Sequence, residues 1–561
     1  MKNNIFKRCP KSKRIVGINM KSRWYRILFP LLGLAALVWF LIRVIPKPSR
    51  ISYPCQRAAL PIAIGFLGVL GGITGVTGFY RIIKSKPPLK TAVKSAASLL
   101  VLCLTVFLIV PIVVTGCNDT ANLSVATLPS TEPQTQYITT MNGTDEIIQP
   151  RILPRTREIE SLEDILEFYL IPADGIGIFP GRVVYAHNPG AVRFNGSGFW
   201  WEDANTVPEE VQRMFIESLH ALTGKDNSAD AWDALFRNFN SHFNNEDAPY
   251  QRGEKIVIKL NMNQDNGGRT GNIHIPAPQL VAALVSELIH TVGADPSDIT
   301  LTDPSRSIGD AIYNYFIENA DPAMRNVRFV AQNRIRPVAD RDEPLYFADG
   351  QIGYVSTDYT AARYLINLAV FRPHDMFGIT FTGKNHYGSV QFGSGSSFNP
   401  SSIHSSWNNG YGQYSHITDL LAFRHLGGKT LLNIIDGLYA SYHQGDGNVR
   451  RMQSFGGEYP ASLFMSQDPV AIDSVAYDFL DMELRINSRF RGRMPGNAFD
   501  NYLIEAAYAD MPPSNTDYDP NRTGVRVSLG AWERWNNDTD RQYSRNLGKN
   551  YGIELIQLFL N

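Results

Sequence analysis

The first 117 residues contain no aspartate and no glutamate, yet they hold 18 lysines and arginines. The rest of the chain therefore carries 53 − 18 = 35 basic residues against all 53 acidic ones, a net of 35 − 53 = −18. The formal charge of +0 for the 561-residue chain conceals a basic end and an acidic body. Cysteine is equally confined. Cys9, Cys55, Cys103 and Cys117 are the four present, so nothing beyond position 117 supplies a thiol. That excludes a thiolate nucleophile, a thiolate-ligated iron–sulfur cluster and a cysteine-type zinc site from the body. The acidic balance argues against nucleic acid, which is bound by neutralising phosphates with Lys and Arg. Also missing are H-E-x-x-H, G-x-S-x-G, a P-loop and a Rossmann glycine fingerprint after a strand.

What the basic end does contain is three apolar runs. Residues 27–42 follow Trp24 and Tyr25 and close on Arg43, while 58–80 and 95–116 carry no charge. A span needs ~20 apolar residues, so the sequence predicts a three-helix membrane anchor over 27–117 behind a cytoplasmic tail, 1–26. The tail has nine Lys/Arg, the first loop four and the second five, while residues 118–150 have none. The positive-inside bias then puts the N-terminus inside and the large C-terminal body outside, as in a periplasmic domain tethered to a bacterial inner membrane. Gly68/Gly72 and Gly71/Gly75 have small-xxx-small spacing, which lets a partner helix approach closely. Cys55 and Cys117 fall on the outer side and can pair. "VTGC" (114–117) also matches a lipoprotein processing box, which would lipidate Cys117; the uncleaved anchor is preferred, because the box ends a third span rather than a first.

Residues 118–150, rich in Thr, Ser, Asn and Pro, read as a flexible linker. An N-terminal extension follows over 151–250, then a core over 250–485 and a C-terminal extension, 486–561, packed on it. "GRVVYAH" (181–187), "EKIVIKLNMN" (254–263), "DITLTD" (298–303) and "VRFVA" (327–331) read as strands. "PQLVAALVSELIHTVGA" (278–294), "SIGDAIYNYFIENA" (307–320), "HITDLLAFRHL" (416–426) and the stretch from Pro469 to about Leu484 read as helices. This alternation, with strands as apolar as "YLINLAVF" (364–371), predicts an α/β fold: a largely parallel sheet with helices on both faces. Sites in such sheets form beyond the carboxyl ends of the strands.

The chemistry-bearing residues fall at those ends. Lys259 and Asn261 close an apolar strand and suit an anionic group. Asp303 ends the next, where a carboxylate can bind metal, act as a base or cap a helix. Arg372 and His374 follow "YLINLAVF" and lead to "FTGKNHYGSV" (381–390). There, between glycines that permit tight turns, Lys384 offers a point charge, Asn385 a donor and an acceptor, and His386 a titratable nitrogen. "NIIDGLYASYHQGDG" (433–447) places Asp436 and Asp446 among glycines and amides, a composition that suits a hard cation or sugar hydroxyls. Asp468, before Pro469, reads as a helix N-cap and joins Asp436 and Asp446 as a candidate divalent-cation ligand. His404, His416 and His425 have no ligand spacing and read as structural.

Five stretches taken in order, "EKIVIKLNMN", "PQLVAALVSELIHTVGADPSDITLTD", "INLAVFRPHDMFGITFTGKNHYGS", "NIIDGLY" and "SQDPVAIDSVAYDFL", resemble the family called domain of unknown function 362. The resemblance covers about residues 250–485 and implies that Lys259, Asn261, Asp303, Lys384, Asn385, Asp436 and Asp468 share one cleft. It supplies no reaction. The chain departs from the pattern at Arg372, where many relatives have lysine, and in lacking the cysteine-rich ferredoxin segments that many carry. The expectation is a membrane-anchored domain that binds or acts on a small anionic or polyhydroxylated molecule. In it Lys384, His386, Asp303 and Asp436 do the chemistry, and Lys259, Asn261, Asn385, Arg372 and His374 hold the ligand. The rival is a non-catalytic scaffold or assembly subunit of an envelope complex.

Overall fold

The computed structural model describes residues 6–8, 15–18 and 173–561, apart from 264–270, 320, 375–376, 394–396, 399–409 and 491–499. The chain divides into two compact units, Met1–Asp145 and Glu146–Asn561. In the first, Phe6–Arg8 pairs antiparallel with Ile15–Ile18. The three apolar runs, Gly68, Gly71, Gly72 and Gly75, and Cys55 and Cys117 lie outside the described residues. Among the described residues no helix is long and apolar enough to cross a membrane.

The second unit is built on an eight-stranded sheet. Its strands are β1 (Arg182–His187), β2 (Ile256–Leu260), β3 (Ile299–Asp303), β4 (Arg328–Ala331), β5 (Tyr364–Val370), β6 (Thr430–Gly437), β7 (Ser462–Ser466) and β8 (Glu554–Phe559). They lie in the order β8-β1-β7-β6-β5-β2-β3-β4. All neighbours are parallel except at β7, which runs against both β6 and β1. Every residue of β2, β3, β5, β6 and β7 is buried. Such strands must be apolar on both sides, which is why they read as continuous runs rather than alternating ones.

Two cores follow, one per face. Val257, Leu365, Ile435 and Phe464 enter the first, and Ile258, Ile366, Ile434 and Met465 enter the second. On the second face lie α1 (Pro208–Thr223), α2 (Ser228–Asn244), α3 (Pro278–Ser286) and α4 (Asp310–Ile317). On the first lie α5 (Thr382–Asn385), α6 (His416–Ala422), α7 (Pro469–Ile486) and α8 (Asn501–Ala507). Proline opens α1, α3 and α7, where its missing N–H is no loss. Gly224, at φ 66°, closes α1 in the left-handed region. The helix expected over 278–294 changes to a wider π-type coil at Glu287–Thr291. A small sheet of Ala339–Tyr346, Ile352–Ser356 and Gln391–Phe392 and a hairpin of Arg372–His374 with Gly378–Thr380 complete the unit.

Candidate functional site

The strand order reverses between β2 and β5: the chain steps outward from β2 to β3 and β4, then returns to place β5 on the other side. In sheets of this kind ligands bind beyond the strand ends at such a reversal. A polar row runs up to it. The register aligns Thr302, Lys259, Asn367, Asn433 and Ser466 across five adjacent strands, all buried. Asn367 and Asn433 share the face of Leu365 and Ile435, so the row underlies α5 and α7.

Lys259 Nζ sits 3.1 Å from Asp303 Oδ2 and donates to Asn385 Oδ1 at 3.1 Å. Burial pushes its pKa down, and the carboxylate of Asp303 opposes that shift. Asp303 also accepts from the Met262 N–H at 3.0 Å and the Ser305 hydroxyl at 3.0 Å. Gly388 roofs the pair. A Cβ there would stand 2.8 Å from Asp303 Oδ1 and 3.3 Å from Lys259 Nζ, so the close approach requires glycine.

The Lys384-Asn385-His386 stretch is not a loop but a buried helical turn, α5 with the short 3₁₀ coil His386–Ser389 behind it. Its placement comes from Asp473 on α7. One carboxylate oxygen accepts from the Thr382 N–H at 2.9 Å and its hydroxyl at 2.6 Å. The other accepts from the Gly383 N–H at 2.9 Å and the Tyr502 hydroxyl at 2.7 Å. Burial nevertheless pushes the Asp473 carboxyl up to about 6. A Cβ on Gly383 would come 2.9 Å from the Tyr502 ring, so the turn packs only as glycine.

Asn385 and Asn367 lock this turn to the sheet. Asn385 Nδ2 donates to Asn367 Oδ1 at 2.8 Å and to the Leu368 carbonyl at 3.2 Å. Asn367 Nδ2 donates to the Thr382 carbonyl at 2.9 Å and faces His386 Nε2 at 3.2 Å. An amide nitrogen is a donor only, so Nε2 accepts and the ring proton is assigned to Nδ1. Burial, with Lys259 nearby, pushes His386 down to about 3. The imidazole therefore rests neutral near pH 7 in this arrangement.

Three cations converge here, with graded exposure. Lys259 and Arg372 each retain 1% of their surface and Lys384 retains 9%, so Lys384 is the outermost. Burial, then the charges of Arg372, Arg306 and Lys259, hold the Lys384 amine at about 7. Its Nζ also lies 5.0 Å from the Tyr387 ring centre and 5.7 Å from that of Phe377. Those ring faces favour the ammonium by ~0.5–2 kcal/mol. The shift from 10.5 to about 7 represents roughly 5 kcal/mol the other way, so repulsion and burial prevail. Arg372 Nη1 donates to the His274 carbonyl at 2.9 Å and Nη2 to Asn261 Oδ1 at 3.1 Å. Its buried Nε and the Nε2 of His274 face no hydrogen-bond partner among the described residues. No described carboxylate lies within ion-pairing distance of Arg372, and burial holds its pKa down at about 10. His374 accepts the Phe377 N–H at 3.3 Å and so helps turn the hairpin.

The expected metal ligands do not assemble; among the described residues no group of three His, Cys, Asp or Glu side chains is placed to hold an ion. Asp436 shares the face of Ile434, opposite that of α5, and accepts the Ala277 N–H at the start of α3 (2.7 Å) and the Leu438 N–H (3.0 Å). It anchors a loop rather than serving as a base beside Lys384. Asp446 pairs with Arg450 through both oxygens, at 2.8 and 2.9 Å. Asp468 caps α7 through Val470 and Ala471 and accepts two further N–H groups, from Ile176 and Ala531, at 2.8–3.0 Å.

Asn367, His274 and Asp473 belong to the site but were not singled out from the sequence. Asn367 had a signal: an amide in the middle of an apolar strand has to find partners. No curated protein matches the chain. The strands β2 to β7, the turn bearing Lys384 and the carboxylate that positions it all fall within residues 256–478, and these match the family described as Domain of unknown function (DUF362).

Proposed function

We propose that the α/β unit binds a small anion at the switch point, on the outer side of a membrane to which residues 27–117 tether it. The observation that carries the binding reading is the charge balance. Among the described residues, Lys259, Arg306 and Arg372 press on the amine of Lys384, while Asp303 pairs with Lys259. A buried guanidinium without a counter-charge is costly, and an anion accepting from Arg372 Nε would offset that cost through charge-assisted hydrogen bonds. Arg372 would orient the anion with its planar fork, Lys384 would add a point charge, and the amide of Asn261 would meet a hydroxyl on a polyhydroxylated ligand. The carboxylates are committed elsewhere, so this reading requires no cation. The membrane half of the proposal rests on the apolar runs and the Lys/Arg bias of the first 117 residues.

Thermal unfolding of the full chain in detergent tests it. Inorganic phosphate or citrate at ~100 times its dissociation constant should stabilise the wild type by about 2.7 kcal/mol beyond chloride of equal ionic strength. Arg372→Met should abolish that gain. Equal responses to all anions would refute the binding site. Protease added to intact spheroplasts should remove the body; protection would refute the orientation.

A further inference from the structure

We infer that the β1/β8 edge of the sheet carries a site of its own, apart from the switch point, for a single-ring aromatic carboxylate whose carboxylate meets Arg541 and whose ring hydroxyl meets His187. A cavity of about 200 Å³ lies there, where the parallel strands β1 and β8 end on His187 and Phe559. Pockets for drug-sized ligands run to ~300–1,000 Å³, so this one suits a single ring. Tyr185 and Phe479, both buried, set the plane of its lining, with ring centres 4.4 Å and planes 26° apart. His187 lies 6.4 Å and 12° from Tyr185, and Phe455 lies 6.4 Å and 23° from Phe479. Phe559 stands edge-on to His187 and Tyr185, at 72° and 77°, and keeps 63% of its surface exposed. Such a lining suits a flat aromatic guest, which stacks at centroid distances of ~4.5–7 Å and gains energy beyond its buried area. An aliphatic chain would gain the area alone.

The polar groups of the cavity supply the rest of the ligand's chemistry. His187 Nδ1 lies 2.9 Å from the Pro460 carbonyl, which only accepts, so the ring proton is assigned to Nδ1. Burial, with the charge of Arg541, holds this imidazole below its usual pKa, and the Nε2 lone pair of the neutral ring can accept from a hydroxyl. Arg541 Cζ stands 4.9 Å from the Phe479 ring centre, and Nε donates to the Asp538 carbonyl at 3.1 Å. The carboxylate of Asp538 pairs instead with Arg485, at 2.8 and 2.9 Å. Glu483, next to Met482 in the lining, accepts from Ser454 at 2.7 and 2.8 Å and from Asn487 at 2.6 Å. Among the described residues no carboxylate lies within ion-pairing distance of Arg541, so its planar fork can grip one from a ligand. Arg541 is also held at φ 52°, a left-handed conformation that asparagine or glycine adopts with less strain, so the turn itself gives no reason for an arginine. Of the lining residues only Ser454 and Phe455 fall within 256–478; the site is built by the extensions on either side of the matched domain.

Isothermal titration of the full chain in detergent with para-hydroxybenzoate, benzoate, cyclohexanecarboxylate and phenol tests the inference. Para-hydroxybenzoate should bind most tightly. Phenol, without the carboxylate, should bind at least tenfold more weakly, and benzoate and cyclohexanecarboxylate a few-fold more weakly each. Arg541→Asn, which suits the left-handed backbone, should weaken para-hydroxybenzoate at least tenfold, and Phe559→Ala, at an exposed position, a few-fold. Circular dichroism checks that both variants fold; if Arg541→Asn does not, Phe559→Ala decides alone. Unchanged affinity in the folded variants places the ligand elsewhere and overturns the site. Cyclohexanecarboxylate binding as tightly as para-hydroxybenzoate overturns the aromatic ligand class, and no binding by any of the four overturns the inference outright.

Discussion

Replacing Lys384 with methionine should stabilise the protein, by an amount that depends on pH. In the fold the amine sits at about 7 against 10.5 for an ordinary lysine. Between those two values the unfolded chain holds a proton that the native state does not. By linkage, the contribution of this residue is therefore full above about 10.5 and is lost as pH falls toward 7. The wild-type cost at pH 7 works out at roughly 4 kcal/mol, falling to about 2 near pH 9 and close to zero by pH 11. Methionine matches the apolar stem but loses the attraction to Tyr387 and Phe377, ~0.5–2 kcal/mol. The net gain for Lys384→Met is then about 3 kcal/mol at pH 7, shrinking to nothing above pH 10. Urea denaturation followed by tryptophan fluorescence over that range measures it, with unchanged m-values as the control. A variant less stable than wild type throughout would show that the ammonium is compensated inside the fold. The argument for an anion site would then fall.

Asp473→Ala leaves the buried N–H groups of Thr382 and Gly383 without an acceptor, at ~1–3 kcal/mol each, so urea denaturation should show a loss of about 4 kcal/mol near pH 4. Because burial raises Asp473 to about 6, its stabilising share is present below about 4 and fades as pH rises through 6. The loss should therefore shrink by up to roughly 3 kcal/mol by pH 7. Gly388→Ala forces apart Asp303 and Lys259 and should cost about 1–3 kcal/mol while abolishing stabilisation by phosphate, as a paired denaturation and titration would show. Stripping the protein with EDTA should leave its melting temperature unchanged. Asp468→Ala, which orphans four N–H groups at ~1–3 kcal/mol each, should lower stability by at least about 4 kcal/mol; a fall on chelation would return the carboxylates to metal binding.

The parallel core of the sheet was legible because "IVIKL", "ITLTD" and "YLINLAV" are buried on both sides and must be apolar throughout. The reversed strand β7 was not, since "SLFMS" is five residues long and carries no marker of direction. Lys259, Asn261, Arg372, Lys384 and Asn385 converge because each follows or overlies the end of a strand beside the switch point. Asp436 misled for a reason of parity. It too ends a strand, but side chains alternate between faces, and one position decides whether a carboxylate meets Lys384 or the start of α3. Asp468 and Asp473 show the same limit. Five residues apart on one segment, one caps its own helix and the other positions a turn ninety residues away in sequence, a partnership that no local pattern encodes.

The family match stops at residue 478, but the hydrogen bonding does not. β7, the last matched strand, is covered on its outer side by β1, which in turn pairs with β8 at the far end of the chain. A recombinant fragment cut to the homologous boundaries would lay bare the amides and carbonyls of an apolar ribbon, an invitation to stack with its own kind. The smallest piece that hides this seam has to reach from upstream of Arg182 to beyond Phe559.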